Sequence, residues 1–352
     1  MRAAKGVLLM FLWLGLPAAA AAKPSPEVKD VLSDFFKATG GLKQMEKIRN
    51  LSFRASVEAF GLEYGVTFLD DGRFRIEGAN ETTIFDGKEY WRSYHELVGK
   101  VPEARLAEFE EYSIRGSFFH GLLDDDGKPV PLRYVGEEKK HGQTYRVLAS
   151  QKSNGKEKTY YFNAKTGLVD KLIELVDDPE LRQRKNVYRF SDYQEVGDLK
   201  LFTQSVGQCI TTGESIQPPF AYSEFKLNSA LDEKLFKKPV STVPPVVFKD
   251  NTLTGQVISF SQRGSLITSI TEDDMAKLSV KDGDLIEVGV QDQTYKHRFV
   301  ENMRTAQNIG SGDYIVLFNE TPALWIVKAY VGMTSEVTVD KGAAITVRLV
   351  KE

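Results

Sequence analysis

Cysteine is all but missing: the 352 residues contain one, Cys209. A lone thiol closes no bridge within the chain, so apolar burial has to hold the fold, and Cys209 reads as a small buried hydrophobe. Histidine is scarce as well. His95, His120, His141 and His297 stand far apart, and no H-E-x-x-H or C-x-x-C spacing occurs, so no metal or other cofactor is expected. Surplus positive charge is lacking too. Against 46 Lys and Arg stand 49 Asp and Glu, a net charge of −3. That balance argues against nucleic acid as a partner, because phosphates recruit an excess of basic side chains. No Ser-His-Asp order, catalytic carboxylate pair or glycine-rich phosphate loop stands out, and enzymatic activity is not expected.

What is there begins with the leader. Arg2 and Lys5 precede an apolar run over residues 7–16, Pro17 breaks it, and five alanines fill 18–22. The run is short of the roughly 20 residues of a spanning helix. A cationic start, an apolar stretch and a small-residue cleavage site make the layout of a secretory signal peptide over residues 1–22. No Cys follows that would take a lipid. Periplasmic residence of the cleaved chain is the expectation.

Behind the leader, Ser25 and Pro26 suit the cap and first position of a helix whose apolar stripe is Val28, Val31, Leu32, Phe35 and Phe36. Gly40-Gly41 ends it, and a short helical stretch carries Leu42, Met45 and Ile48. The period then drops to two. In residues 51–60, Leu51, Phe53, Ala55, Val57 and Ala59 share one face and Ser52, Arg54, Ser56 and Glu58 the other, the mark of a half-buried antiparallel strand. Tyr64, Val66 and Phe68 alternate next, then Phe74 and Ile76, then residues 83–85 and 90–94. The spacing of Leu106, Phe109, Tyr112, Gly116 and Phe119 predicts an amphipathic helix over 103–123. Asp124-Asp125-Asp126-Gly127 reads as a solvated turn, because a calcium loop with its glycine there would begin at Leu122, which cannot ligate. Strands are predicted at 132–135, 144–149, 158–162, 169–176, 186–193, 199–206 and 220–227. Pro239, Pro244 and Pro245 mark a linker over 239–252.

The tail, 253–352, carries one short predicted helix at 271–278, with Thr271 as cap and Asp274 at its third position. It also repeats a pattern. Gly283, Gly312 and Gly342 are each followed, three and five positions on, by aliphatic residues: Ile286 and Val288, Ile315 and Leu317, Ile345 and Val347. A turn that needs glycine, then a strand burying alternate side chains, suggests a small β-barrel whose strands enter alike.

The order of the opening helix with Gly40-Gly41, the strand at 51–60, Asp71-Gly72-Arg73-Phe74-Arg75-Ile76-Glu77, Ile84-Phe85-Asp86-Gly87-Lys88-Glu89-Tyr90-Trp91, and the closing Phe225-Lys226-Leu227-Asn228 and Leu235-Phe236-Lys237-Lys238-Pro239 resembles the LolA/LolB/RseB-type periplasmic lipoprotein-binding superfamily over about residues 27–238. The resemblance implies a mainly β (α+β) fold, a curved open antiparallel sheet or half-barrel plugged by helices, with a cavity for acyl chains or a lipid-bearing partner. It transfers no binding residue. The tail resembles the C-terminal barrel of the S-adenosylmethionine hydroxide adenosyltransferase and fluorinase family through Gly255-Gln256-Val257-Ile258, Gly264-Ser265-Leu266-Ile267-Thr268-Ser269-Ile270 and the glycine turns. In that family an Asp, a Phe and an Asn around the glycine help hold the nucleoside; here Ser261, Arg263 and Ser265 stand in those places. The barrel is expected without the chemistry.

Taken with the alternation, these points predict domains over 23–238 and 253–352, and an exported carrier of a lipid, lipoprotein or other hydrophobic ligand. The candidate cleft residues are Phe53, Val57, Tyr64, Phe68, Phe74, Ile76, Trp91, Phe109 and Phe119. A sensor that binds an envelope protein shares the same fold, and an adenosyl-substrate enzyme or nucleoside binder acting through the tail is the third reading.

Overall fold

The computed structural model describes residues 25–350 except 102–105, 107–108, 110–111, 125–126, 151–155, 179–181, 262, 301–312, 319–320, 329–332 and 336–337. The leader expected at 1–22 lies outside the described residues. Among the described residues no helix is long and apolar enough to cross a membrane.

The chain opens with α1 (Pro26–Ala38). Ser25 Oγ accepts from the Val28 amide, proline occupies the first turn, and Val28, Val31, Leu32, Phe35 and Phe36 are buried, as the stripe predicts. A single turn, α2 (Leu42–Met45), follows. Then come six strands: β1 (Asn50–Val57), β2 (Leu62–Leu69), β3 (Phe74–Glu77), β4 (Glu81–Phe85), β5 (Tyr90–Tyr94) and β6 (Leu97–Lys100). After α3 (Ile114–Phe118) a second set runs β7 (Leu132–Lys140), β8 (Gln143–Ser150), β9 (Lys156–Asn163), β10 (Val169–Asp178), β11 (Arg182–Ser191), β12 (Gln194–Val196), β13 (Leu199–Leu201), β14 (Gln204–Cys209) and β15 (Ser215–Leu227). Thirteen of these form one curved antiparallel sheet in the order β6-β5-β4-β3-β2-β1-β15-β14-β11-β10-β9-β8-β7. Two meanders are thus joined where β1 meets β15, with Leu51 opposite Leu227 and Ala55 opposite Tyr222. The main core fills the concave side and unites α1, α3 and both meanders.

Two local expectations change. The helix predicted over 103–123 is, among described residues, the five-residue α3, capped by Ser113 Oγ accepting from Gly116 N. His120 (φ 56) and Gly121 (φ 66) take left-handed backbone directly after it, which no α-helix accommodates. The strands predicted at 186–193 and 199–206 are each broken by a corner. Asp192 is left-handed (φ 54) and its carbonyl accepts from Thr203 Oγ1 at 2.6 Å. The excised piece pairs with itself as the β12–β13 ribbon and turns Leu199, Leu201 and Phe202 into the core.

The chain then crosses the outer face of the sheet. A 3₁₀ turn, Glu233–Phe236, buries Phe236 beneath Arg73, and Arg75 donates to the Leu235 carbonyl. Lys238 lies over the Trp91 ring and Thr242 donates to Glu96. Within the stretch predicted as linker, β16 (Val247–Lys249) already pairs with β17 (Thr252–Phe260). The tail continues with β18 (Leu266–Thr268), α4 (Glu272–Ala276), β19 (Leu285–Val290), β20 (Gln293–Val300), β21 (Tyr314–Phe318), β22 (Leu324–Lys328) and β23 (Ala344–Leu349). β17 to β23 close into a seven-strand barrel through the β17–β23 pairing. Thr271 and Asp274 form the reciprocal cap predicted for α4.

The tail repeat is partly structural. Gly283 (φ 85) and Gly342 (φ 94) make left-handed turns, and Ile286, Val288, Ile345 and Val347 all enter the barrel core. In the middle copy Gly312 lies outside the described residues, and the strand is out of phase: Val316 faces that core, while Ile315 and Leu317 pack outside it with Val300. β21 is also the strand that pairs parallel, with β20, so it does not enter the barrel like the other two. Leu97 of β6 packs with Ile258, Ile267 and Ala323 of the barrel, and Tyr94 stacks on Trp325.

Candidate functional site

The concave face of the large sheet holds a cavity of about 720 Å³, partly open to solvent. Alternation along each strand decides what reaches it. β1 contributes Phe53 and Ala55, β2 Tyr64, Val66 and Phe68, and β3 Ile76. From the second meander come Leu172, Tyr188 and Phe190, with Phe220 and Tyr222 from β15. Phe109, Tyr112 and the α3 segment through His120 run across the concave side and supply one wall. The size falls within the range of small-molecule pockets, and the lining has their usual apolar bias.

Of the nine candidates read from the sequence, Phe53, Tyr64, Phe68, Ile76 and Phe109 line this cavity. Phe74 stands one layer behind, 1% exposed, with the rings of Phe68, Phe85, Tyr90, Phe109 and Tyr112 all within 6.3 Å. Phe119 is sealed in the same core, and Val57 is buried near the end of β1 without reaching the cavity. Trp91 lies elsewhere. In β5 its neighbour Arg92 lines the cavity, and the period of two places Trp91 on the opposite, convex face. There its Nε1 donates to Asp86 Oδ2 at 3.0 Å and Lys238 covers its ring. The sequence reading took aromatic content for a single face; strand parity separates Trp91 from Tyr90 and Arg92.

The lining also has a polar part that the candidate list missed. Glu81, Thr83 and Arg92 sit on one side, where Arg92 Nε donates to Thr83 Oγ1 at 3.2 Å. Lys156 and Glu174 sit on the other, with Asn186 Nδ2 donating to Glu174 Oε2 at 3.5 Å. Between them Ser205 bonds both Gln217 and the Tyr222 hydroxyl. Burial pushes the Tyr222 phenol up to about 12, so it stays protonated. His120 is 3% exposed, and burial, with Lys158 adding repulsion, pushes its imidazole down to about 3.

Ser205, His120 and Glu174 line one cavity, which invites a hydrolase reading. The bonds contradict it. The Ser205 hydroxyl is engaged by Tyr222 and Gln217, and His120 Nε2 has no hydrogen-bond partner, so the nucleophile–base contact such chemistry requires is missing. Among the described residues no cluster of three or more His, Cys, Asp or Glu side chains is arranged to hold a metal ion. In the barrel, Ser261 Oγ accepts from the Ser265 amide at 2.9 Å; one of the three positions compared with the nucleoside site is spent on its own turn. Cys209 is buried as expected, though hydrogen bonding from Thr212 lowers its thiol to about 7.

No protein-family model matches the chain, and no curated protein does. Solved structures do. A LolA superfamily protein from Nitrosomonas europaea aligns at 12% identity and TM-score 0.36, covering 58% of this chain and 97% of that one. An outer membrane lipoprotein-sorting protein domain from Vibrio parahaemolyticus aligns at 12% identity and TM-score 0.38, covering 59% and 95%. An uncharacterized conserved protein from Thermotoga maritima aligns at 21% identity and TM-score 0.28 over 31% of this chain, which spans 40% of that protein. At these scores none of the alignments decides a function. The curved antiparallel sheet with helices on its concave side is the architecture the first resemblance implies, and the closed barrel is the one the second implies.

Proposed function

We propose that the protein is an exported, non-catalytic binder or carrier of a hydrophobic acyl-bearing ligand, a lipid or the acyl chains of a lipoprotein. The observation that carries this reading is the 720 Å³ cavity lined by Phe53, Tyr64, Val66, Phe68, Ile76 and Phe220 on the concave side of the sheet. An acyl chain entering it loses water from each methylene, worth about 0.8 kcal/mol per CH₂. A dozen carbons therefore supply about 10 kcal/mol before the cost of association. The polar groups among the lining residues suit an amphiphile better than a plain hydrocarbon. The leader at 1–22 supports action in the periplasm.

Mass spectrometry of organic extracts from protein purified without detergent tests the proposal. A lipid at near-stoichiometric amount, or uptake of a fluorescent fatty acid by the delipidated protein, is the expected result. Protein that yields no lipid and takes up no acyl probe refutes it.

A further inference from the structure

We propose that the cavity selects amphiphiles with a zwitterionic head, one anionic group and one ammonium, and holds that head at a charged end where each meander supplies a carboxylate and a cation. The inference rests on the carrier reading and adds the class of headgroup and the direction in which the ligand lies. Strand register establishes the direction. In the first meander Phe53, Val66, Ile76, Thr83 and Arg92 make one cross-strand row, and all five line the cavity. The row on one side of it is Leu51, Phe68, Phe74, Phe85 and Tyr90, aliphatic or aromatic throughout. On the other side Ala55 and Tyr64 lead to Glu81, whose side chain meets Tyr64 over Gly78.

The second meander is graded the same way. Leu172 faces Tyr188, and the next inward step along β10 is Glu174. On β9 the steps from Tyr160, opposite Leu172, lead through Lys158 to Lys156. The β1–β15, β15–β14 and β14–β11 pairings are all antiparallel and carry the direction across the sheet, so the two polar ends coincide. Solvent reaches this end: Glu81, Arg92 and Lys156 are partly exposed, whereas Phe53, Val66, Phe68 and Leu172 are buried. A ligand therefore lies with its tail on the rings and its head among these charges.

The head chemistry follows from the balance. Glu81, Glu174, Arg92 and Lys156 are two carboxylates and two cations lining one cavity, which offers no net charge. A purely anionic head gains from a cation what it loses to the neighbouring carboxylate, while a zwitterion gains from both. The spacing agrees. Thr83 faces Arg92 and Lys158 faces Glu174, so Glu81 is the diagonal neighbour of Arg92, and Lys156 of Glu174. Diagonal neighbours stand about 7–8 Å apart on the same face, a gap that a head with its charges a few bonds apart spans.

The test measures displacement of a fluorescent acyl probe from the delipidated full chain by amphiphiles of one chain length: lysophosphatidylethanolamine, lysophosphatidylglycerol, a monoacylglycerol and an acyl-lysine with free α-amino and α-carboxyl groups. A zwitterionic head should bind about three- to tenfold tighter than the anionic or the neutral one, the size of a charge-assisted contact at a partly exposed site. The tighter of the two zwitterions assigns a phosphoethanolamine or an amino-acid head. Arg92→Gln should erase the zwitterion's advantage over the neutral head. Glu81→Gln leaves the end net positive, so lysophosphatidylglycerol should then bind at least as well as lysophosphatidylethanolamine. Lys156→Gln leaves it net negative and should weaken the anionic head more than the zwitterionic one. Each preference is a ratio within one protein, which a loss of stability does not imitate. Wild-type protein that binds all heads alike or favours the anionic one, or variants that keep the wild-type ratios, overturn the head assignment while the cavity stands. A wild-type protein that takes none of the probes overturns the carrier reading and the head assignment together.

Discussion

Replacing Ala55 with tryptophan separates an empty cavity from a packed interior. Ala55 sits mid-way along β1, opposite Tyr64 on one side and Tyr222 on the other, and its side chain lines the cavity. If the space is real, an indole projecting into it buries roughly 150–250 Å², a gain of up to about 4–6 kcal/mol. Loss of rotamer freedom and imperfect contacts offset part of this. The melting temperature should therefore hold or rise. If the space were filled by side chains, the same change would overpack a core and cost about 1–3 kcal/mol, or roughly 2–12 °C for a unit of this size. Scanning calorimetry reads the stability and displacement of a fluorescent fatty acid reads occupancy. We expect an unchanged or higher melting temperature with at least a tenfold loss of affinity. A lower melting temperature with unaltered binding would refute the reasoning, since it would place the ligand elsewhere and the indole in a solid core.

Other consequences concern stability. Phe74→Asp puts an unpaired carboxylate among five aromatic rings and should abolish folding or cost more than about 3 kcal/mol; circular dichroism with urea denaturation measures it, and a wild-type midpoint contradicts the placement. The folded chain holds His120 down to about 3 and His297 down to about 4, both by burial. Between those values and the ordinary 6.5 the unfolded chain binds protons that the folded one refuses. Stability is thus full above pH 6.5 and falls below it, by about 1.4 kcal/mol per pH unit for each histidine. Denaturation curves from pH 7 to 5 should show this, with His120→Phe flattening the slope for the curved sheet and His297→Phe that for the barrel; variants with the wild-type slope would count against it. A Cβ on Gly99 would lie 2.5 Å from Pro322 Cβ, so Gly99→Val should loosen the contact between sheet and barrel, seen as faster proteolysis within residues 239–252 at little cost to either core.

Local features were legible where one residue type determines the geometry. Ser25 and Pro26 start α1, and Thr271 with Asp274 caps α4. Gly283 and Gly342 bend as their spacing implies. Period-two alternation correctly located most strands, and with them which residues face inward. It could not say which inward positions meet a neighbour and which meet space. Phe74 and Phe68 alternate on the same face, yet one is walled in by rings and the other lines the cavity. That difference is set by Phe109, Tyr112 and the α3 segment, where a left-handed His120 breaks a helix that apolar spacing alone would have prolonged. None of the candidates came from the second meander. Tyr188, Phe190, Phe220 and Tyr222 carry the same alternation in the second, and β1 meeting β15 brings them to the same cavity as Phe53. Pairing at that sequence separation leaves no local trace.

The two margins of the sheet are guarded by different means. A terminal strand presents a row of unpaired amides and carbonyls that any extended peptide could continue. At β6 the barrel leans on that margin, with Leu97 tucked against Ile258 and Ala323. At β7 the sequence itself discourages growth: a register shift next to Gly136 kinks the strand, and Glu137, Glu138, Lys139 and Lys140 follow in a row. Whatever else the tail does, it acts as an end-stop, and its removal would expose a sticky selvage along which copies of the protein could stitch into fibrils.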